Sequence, residues 1–249
     1  MSIEIKNICK QFGDNKVLED VSYLMEPGMV NMIIGKSGCG KSVLLKCMVG
    51  LITPNAGSVL FDGDDFHASD FEKKREIRKN IGMLFQASAL FDSLTVNENV
   101  AFPLQMFTRN SKKEIQDRVD FCLERVDLNG VGHLLPSEIS GGMKKRVGIA
   151  RAIAMRPKYL FCDEPNSGLD PLTASLIDKL IQEITHEYSM TTIVVSHDMN
   201  SVTNIGDKIM LLSERTKVWE GSKENLMNSD NAVLNEFVFV SDFMKDKRK

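Results

Sequence analysis

Apolar and polar residues alternate through Met1-Ser2-Ile3-Glu4-Ile5-Lys6, the two-residue period of a strand. Short strand-like runs continue to residue 34, broken by turns at Gly13-Asp14-Asn15 and Pro27-Gly28. Val30, Met32, Ile33 and Ile34 form a nearly unbroken apolar run, the pattern of a buried strand. Leu44, Leu45, Met48 and Val49 then recur at helical spacing. Residues 57–66 read as a strand closing in a turn, and residues 69–79, mixed in charge, as an exposed helix. Residues 81–85 predict a second buried strand, ending at Gln86. Residues 87–135 read as mostly helical, with an amphipathic stretch at Ile115, Val119, Cys122, Leu123 and Val126. A short connector leads to Ser140-Gly141-Gly142 and a helix through Ala154, which Pro157 breaks. Residues 159–162 form an apolar strand that runs into Asp163-Glu164. Asp170-Pro171 starts a helix, with Leu172, Leu176, Leu180 and Ile184 marking one face of it. Residues 191–195 predict a third buried strand, ending in Ser196-His197-Asp198. Further strands are expected at Ile209 to Leu212 and at Val218-Trp219, with Ser222 opening a short helix. Strands alternating with helices mark an α/β chain.

The 249 residues suffice for one large domain or two small ones. A hydrophobic share of 43% and a charged share of 26% fit a soluble globular protein. The net charge of −3 argues against a dedicated nucleic-acid binder. Cysteines 9, 39, 47, 122 and 162 form no C-x-x-C pair, and their scatter fits a reducing cytoplasm. No apolar run reaches the length of a membrane span, and the N-terminus lacks the features of a signal peptide. Residues 230–249 carry Leu234, Phe237, Val238, Phe239, Val240 and Phe243, too apolar for an idle tail.

The chemistry concentrates in Gly35-Lys36-Ser37-Gly38-Cys39-Gly40-Lys41-Ser42, a G-x-x-x-x-G-K-S phosphate loop between a strand and a helix. Glycines let consecutive N–H groups turn toward an anion, and the helix N-terminus adds its positive end. Lys41 supplies a charge for the β- and γ-phosphates of a nucleotide, and Ser42 a hydroxyl for Mg2+. Asp163 and Glu164 lie where ligands bind in α/β sheets, and as neighbours on a strand they face opposite ways. Ser140-Gly141-Gly142 presents a second helix N-terminus. His197 alone among four histidines ends a strand; His67, His133 and His186 are expected on the surface.

In this order, a phosphate loop, a strand-end Gln86, Ser140-Gly141-Gly142, Asp163-Glu164 and His197 resemble an ATP-binding-cassette ATPase over roughly nine-tenths of the chain. The stretches Leu135 to Val147 and Asp163 to Pro171 carry the resemblance most specifically. It implies a P-loop NTPase fold of α/β class, with a mainly parallel central sheet, an N-terminal antiparallel β subdomain and a helical subdomain. Residues 1–228 would form the ATPase domain, with the helical subdomain near 87–155, and 229–249 a C-terminal extension. The loop residues Gly35, Ser37, Gly38, Cys39, Gly40, Lys41, Ser42 and Val43 would hold ATP, with Phe12 stacked on the base. Ser42, Gln86 and Asp163 would serve Mg2+; Glu164 would polarise water; His197 would reach the γ-phosphate. Ser140 and Gly142 would cover the γ-phosphate held by a second subunit, with Asp170 at the seam of a homodimer. Positioning and charge are what a phosphoryl transition state needs.

A narrower resemblance lies in residues 40–46, 84–86, 89–104 and 141–146, which are similar to the ATPases of Mce/Mla-type lipid transporters. That family implies a peripheral protein on the cytoplasmic face of the bacterial inner membrane, joined to an integral permease and an Mce-type lipid-binding protein. Leu90, Phe91, Phe102 and Leu104 would then line a groove for a permease helix. An importer ATPase for amino acids or another small solute is the alternative. Met143 stands where glutamine is common in the wider superfamily, and Asn166 where threonine is common. Cys39 is taken as a bystander. An ATPase acting on DNA or ribosomes usually brings a long coiled-coil insertion or a second cassette, and neither is present here. A P-loop kinase leaves Ser140-Gly141-Gly142 and His197 unexplained.

Overall fold

The computed structural model describes residues 1–238; the apolar residues Phe239, Val240 and Phe243 noted above lie outside the described residues. Two sheets organise the chain. Strands β1 (Ile3–Phe12), β2 (Asn15–Met25), β4 (Ala56–Phe61) and β5 (Asp64–Asp65) form an antiparallel sheet in the order β2-β1-β4-β5. Strands β3 (Val30–Ile34), β6 (Ile81–Leu84), β7 (Tyr159–Asp163), β8 (Thr191–Ser196), β9 (Lys208–Ser213) and β10 (Thr216–Ser222) form the second, ordered β10-β9-β3-β8-β7-β6. All its pairings are parallel except the edge hairpin β9-β10.

The buried strands are apolar on both faces because both faces are covered. Val30, Met32 and Ile34 join one core cluster, while Ile33 joins the other. Leu160 and Cys162 divide from Tyr159 and Phe161 in the same way. One face packs on helix α1 (Lys41–Met48), through Leu44, Leu45 and Met48, and on the antiparallel sheet. The other is covered by helices that include α3 (Val96–Phe107), α4 (Lys112–Arg125), α5 (Gly141–Ile153), α6 (Pro171–Glu187) and α7 (Met199–Ile205). Helix α2 (Phe71–Lys79) buries only Ile77 and is otherwise a surface helix. Thr95 and Ser111 open α3 and α4 as reciprocal capping boxes with Glu98 and Glu114.

The structure corrects one reading, that of His67, and refines two others. Helix α6 turns inward through Ile177, Asp178, Ile181 and Ile184, while Leu172 and Leu176 are exposed. His67 is half-buried, with Nε2 2.9 Å from the Cys47 carbonyl oxygen, so it is not a free surface residue. The last apolar stretch is partly core: helix α9 (Ala232–Val238), which follows α8 (Lys223–Met227), buries Leu234 and Val238. Among the described residues no helix is long and apolar enough to cross a membrane.

Candidate functional site

Strand β3 delivers the glycine loop to the carboxyl end of the parallel sheet, and α1 leaves from it. Gly40 precedes α1 with φ 107°, a conformation open to glycine and strained for other residues. Gly35 has φ 152°, and a Cβ built there would lie 2.2 Å from the Leu212 carbonyl oxygen. Ser37 and Gly38 are exposed at the tip, and Cys39 and Val43 are half-buried, packed against the core on the α1 side. Burial pushes the Cys39 thiol up, with Lys41 acting against it, so the thiol stays protonated near neutrality.

Lys41 is buried and folds over its own loop, donating to the carbonyls of Gly35 at 2.8 Å and Lys36 at 3.0 Å. Ser42 Oγ donates to Asp163 Oδ1 at 2.9 Å. The next residue points elsewhere: Glu164 Oε2 lies 2.9 Å from His197 Nδ1. Asp163, the last residue of β7, thus faces the phosphate loop, and Glu164, just past the strand, faces the end of β8. Glu164 has left the strand with φ 48° and is anchored by its N–H on the Val195 carbonyl, at 2.9 Å.

Gln86 follows β6 and is exposed; its Nε2 donates to Ser167 Oγ at 3.3 Å. It touches neither Ser42 nor Asp163 through a hydrogen bond among the described residues. Phe12 ends β1, half exposed, with Lys10 Nζ 4.9 Å from the ring centre. Ser140 caps α5 by accepting from the Met143 N–H, at 3.3 Å. Asp170 caps α6, accepting from the N–H groups of Leu172 and Thr173 and from the Thr173 hydroxyl, which holds its carboxyl below the usual range. Ser140, Gly142 and Asp170 line one groove of about 750 Å³, and Lys41, Ser42, Glu164 and His197 are not among its walls. The chain therefore carries two separate clusters: the loop with its carboxylates and histidine, and the serine-glycine turn with Asp170.

Sequence reasoning missed the cations behind these groups. Lys145 is buried on α5 and donates to the Gln86 carbonyl oxygen, with the Glu164 carbonyl oxygen 3.4 Å away. Burial pushes its ammonium down. Arg151 donates to the carbonyls of Ser88 at 2.6 Å and Ala89 at 2.7 Å, fixing a loop in which both residues have positive φ. Lys145 sits four residues before buried Ile149 and so shares its face of α5, but the basic run around it hides that placement in the sequence. Leu104, expected in a surface groove, is core. Phe91 is exposed and its ring lies 4.6 Å from that of Phe102, centre to centre.

The family model described as ABC transporter matches residues 18–167. The probable ribonucleotide transport ATP-binding protein mkl of Mycobacterium leprae is 40% identical over 238 residues, 96% of this chain and 69% of its own. Mycobacterium relatives of this name are longer, and the chain spans about two thirds of their length. The intermembrane phospholipid transport system ATP-binding protein MlaF of Haemophilus influenzae is 37% identical over 236 residues, 95% of this chain and 89% of its own. The methionine import ATP-binding protein MetN of Clostridium acetobutylicum is 40% identical over 240 residues, 96% of this chain and 75% of its own. Among solved structures, a dimeric ATP-binding cassette in a post-hydrolysis state with ADP and Pi matches with a TM-score of 0.81 at 31% identity, covering 89% of this chain and 98% of that one. With the loop, the divided carboxylates and these likenesses together, the chain belongs to the ABC transporter family, as one of its ATP-binding and ATP-hydrolysing cassettes.

Proposed function

We propose that this cassette powers lipid transport across a bacterial envelope, acting as a homodimer beneath an integral membrane permease. The observation that carries the catalytic reading is the division of labour at the end of β7: Asp163 to Ser42, Glu164 to His197. The loop N–H groups and Lys41 bind the triphosphate, and Phe12 offers its exposed face to the base. To reach the phosphates, the Lys41 ammonium exchanges its two carbonyl partners for phosphate oxygens.

A hard-oxygen pair 2.9 Å apart, one hydroxyl and one carboxylate, fits Mg2+, which takes few protein ligands and completes its shell with phosphate and water. Gln86, whose Nε2 is on Ser167 here, would offer its Oε1 as a third oxygen ligand. Bound there, Mg2+ would neutralise charge on the β- and γ-phosphates. Glu164 is the base that orients and polarises the attacking water, and His197 holds that carboxylate while reaching the γ-phosphate. Ser140, Gly142 and Asp170, in their separate groove, complete the site of a second copy.

The lipid assignment draws on the likeness to a phospholipid transport ATPase along 89% of that protein's length, and on the apolar pair Phe91 and Phe102 offered to a permease helix. An Mce-type protein would complete the assembly. The likeness to a methionine import ATPase supports an importer as the second reading. Co-expression with its neighbouring genes, purification through this chain, and mass spectrometry of bound small molecules separates the two. We expect a membrane permease carrying phospholipid. Recovery of a permease whose ATPase responds to an amino acid and not to lipid would overturn the lipid assignment.

A further inference from the structure

The loop between Glu164 and Asp170 is held from behind by polar groups that the scheme above does not use. Asn166 Nδ2 donates to Asp178 Oδ1 on α6 at 2.7 Å and to Ser201 Oγ on α7 at 2.8 Å. Asp178 is 3% exposed and Ser201 fully buried. Among the described residues Asp178 has no cationic partner; burial pushes its carboxyl up to about 6, and the charged group facing it is Asp198, another carboxylate. A buried carboxylate without a cation depends on its hydrogen-bond donors, and the amide of Asn166 is the closest. Ser201 Oγ lies 3.4 Å from Asp198 Oδ2, and Asp198 directly follows His197 and caps α7. Asn166 lies two residues beyond Glu164. The three side chains thus join the segment bearing Glu164 to the helix that follows His197.

We propose that Asn166, Asp178 and Ser201 form a buried clasp that sets the register of Glu164 against His197, making Asn166 a positioning residue for ATP hydrolysis. The clasp acts on geometry and touches no phosphate-binding group. Its loss leaves the 2.9 Å bond from the Glu164 N–H to the Val195 carbonyl as the backbone tie between the two segments and frees the rest of the Glu164 loop to shift against the His197 turn, and displacement of about 1 Å at a reacting pair costs on the order of a hundredfold in rate. Both contacts of the Asn166 amide use its donor nitrogen, one reaching α6 and the other α7. Threonine, with one donor, can satisfy one helix but not both.

The proposal rests on the assignment of Glu164 and His197 to hydrolysis. Its test is steady-state ATPase kinetics of the full chain, or of its complex, with Asn166→Ala and Asn166→Thr. We expect kcat to fall by about ten- to a hundredfold in Asn166→Ala with KM for ATP within about twofold of wild type, and Asn166→Thr to recover part of the loss. The side-chain 15N resonances of His197 should shift in Asn166→Ala, reporting a disturbed contact with Glu164. Leu234→Ala, a core change remote from the clasp, controls for destabilisation and should leave kcat unaltered. Wild-type kcat in Asn166→Ala, or a loss that Leu234→Ala reproduces, would overturn the clasp. If Glu164→Gln turns over normally, the failure lies in the catalytic assignment instead.

Discussion

Glu164→Gln isolates what the carboxylate charge contributes. Glutamine keeps the shape and one oxygen for the 2.9 Å contact with His197, and removes the negative charge and the basicity. The Glu164 side chain is 13% exposed, so its contacts are screened little by solvent. None of its hydrogen bonds reaches Lys41 or Ser42, the groups placed to hold phosphate. Nucleotide affinity should therefore stay within about threefold, while the chemical step loses its base. Positioned general bases contribute about 10²–10⁴ in rate, which is roughly 3–5.5 kcal/mol of barrier. The assay is phosphate release at saturating ATP, alongside titration calorimetry for binding and light scattering for mass. We expect kcat to drop through that range, unchanged binding, and a dimer that accumulates with ATP. Turnover within about tenfold of wild type would refute the assignment, because a positioned base typically contributes about a hundredfold or more.

Two further outcomes follow from other parts of the site and fold. Lys41→Ala removes the one buried ammonium of the phosphate loop and should weaken nucleotide binding by about tenfold or more, measured by calorimetry; unchanged affinity would take Lys41 out of the site. Leu234→Ala empties a fully buried position of α9 and should cost about 2–5 kcal/mol in urea denaturation; a loss below about 1 kcal/mol would show that α9 docks only marginally.

The phosphate loop was legible in the sequence because everything it needs is local. A buried strand, glycines that turn the backbone and a helix start occupy consecutive residues. The paired carboxylates were legible as neighbours at a strand end, but their divergence is set by the positive φ of 48° at Glu164, just beyond β7, which alternation along a strand does not describe. Helix α6 shows where local rules stop. Its sequence carries two neighbouring apolar stripes, one at Leu172, Leu176 and Leu180 and the other at Ile177, Ile181 and Ile184. Periodicity accepts either; the sheet packed against the helix selects the second and carries Asp178 inward with it.

The residues that hold the site in shape were hidden for the same reason. Lys144, Lys145 and Arg146 read as one basic run, yet only the middle residue is buried, where it meets the backbone of Gln86, 59 positions away. Asn166 looks like a departure from a common threonine until Asp178 and Ser201, 12 and 35 positions further on, are folded against it. Groups that meet phosphate must be spaced by the geometry of phosphate, and that spacing is written along the chain. Groups that meet only other parts of the protein are constrained by the packing of helices on a sheet, so no fixed interval marks them. Motif reading therefore finds the reacting atoms first. The groups that decide how well those atoms are aimed, Lys145 behind Gln86 and Asn166 behind Glu164, come into view only with the tertiary fold.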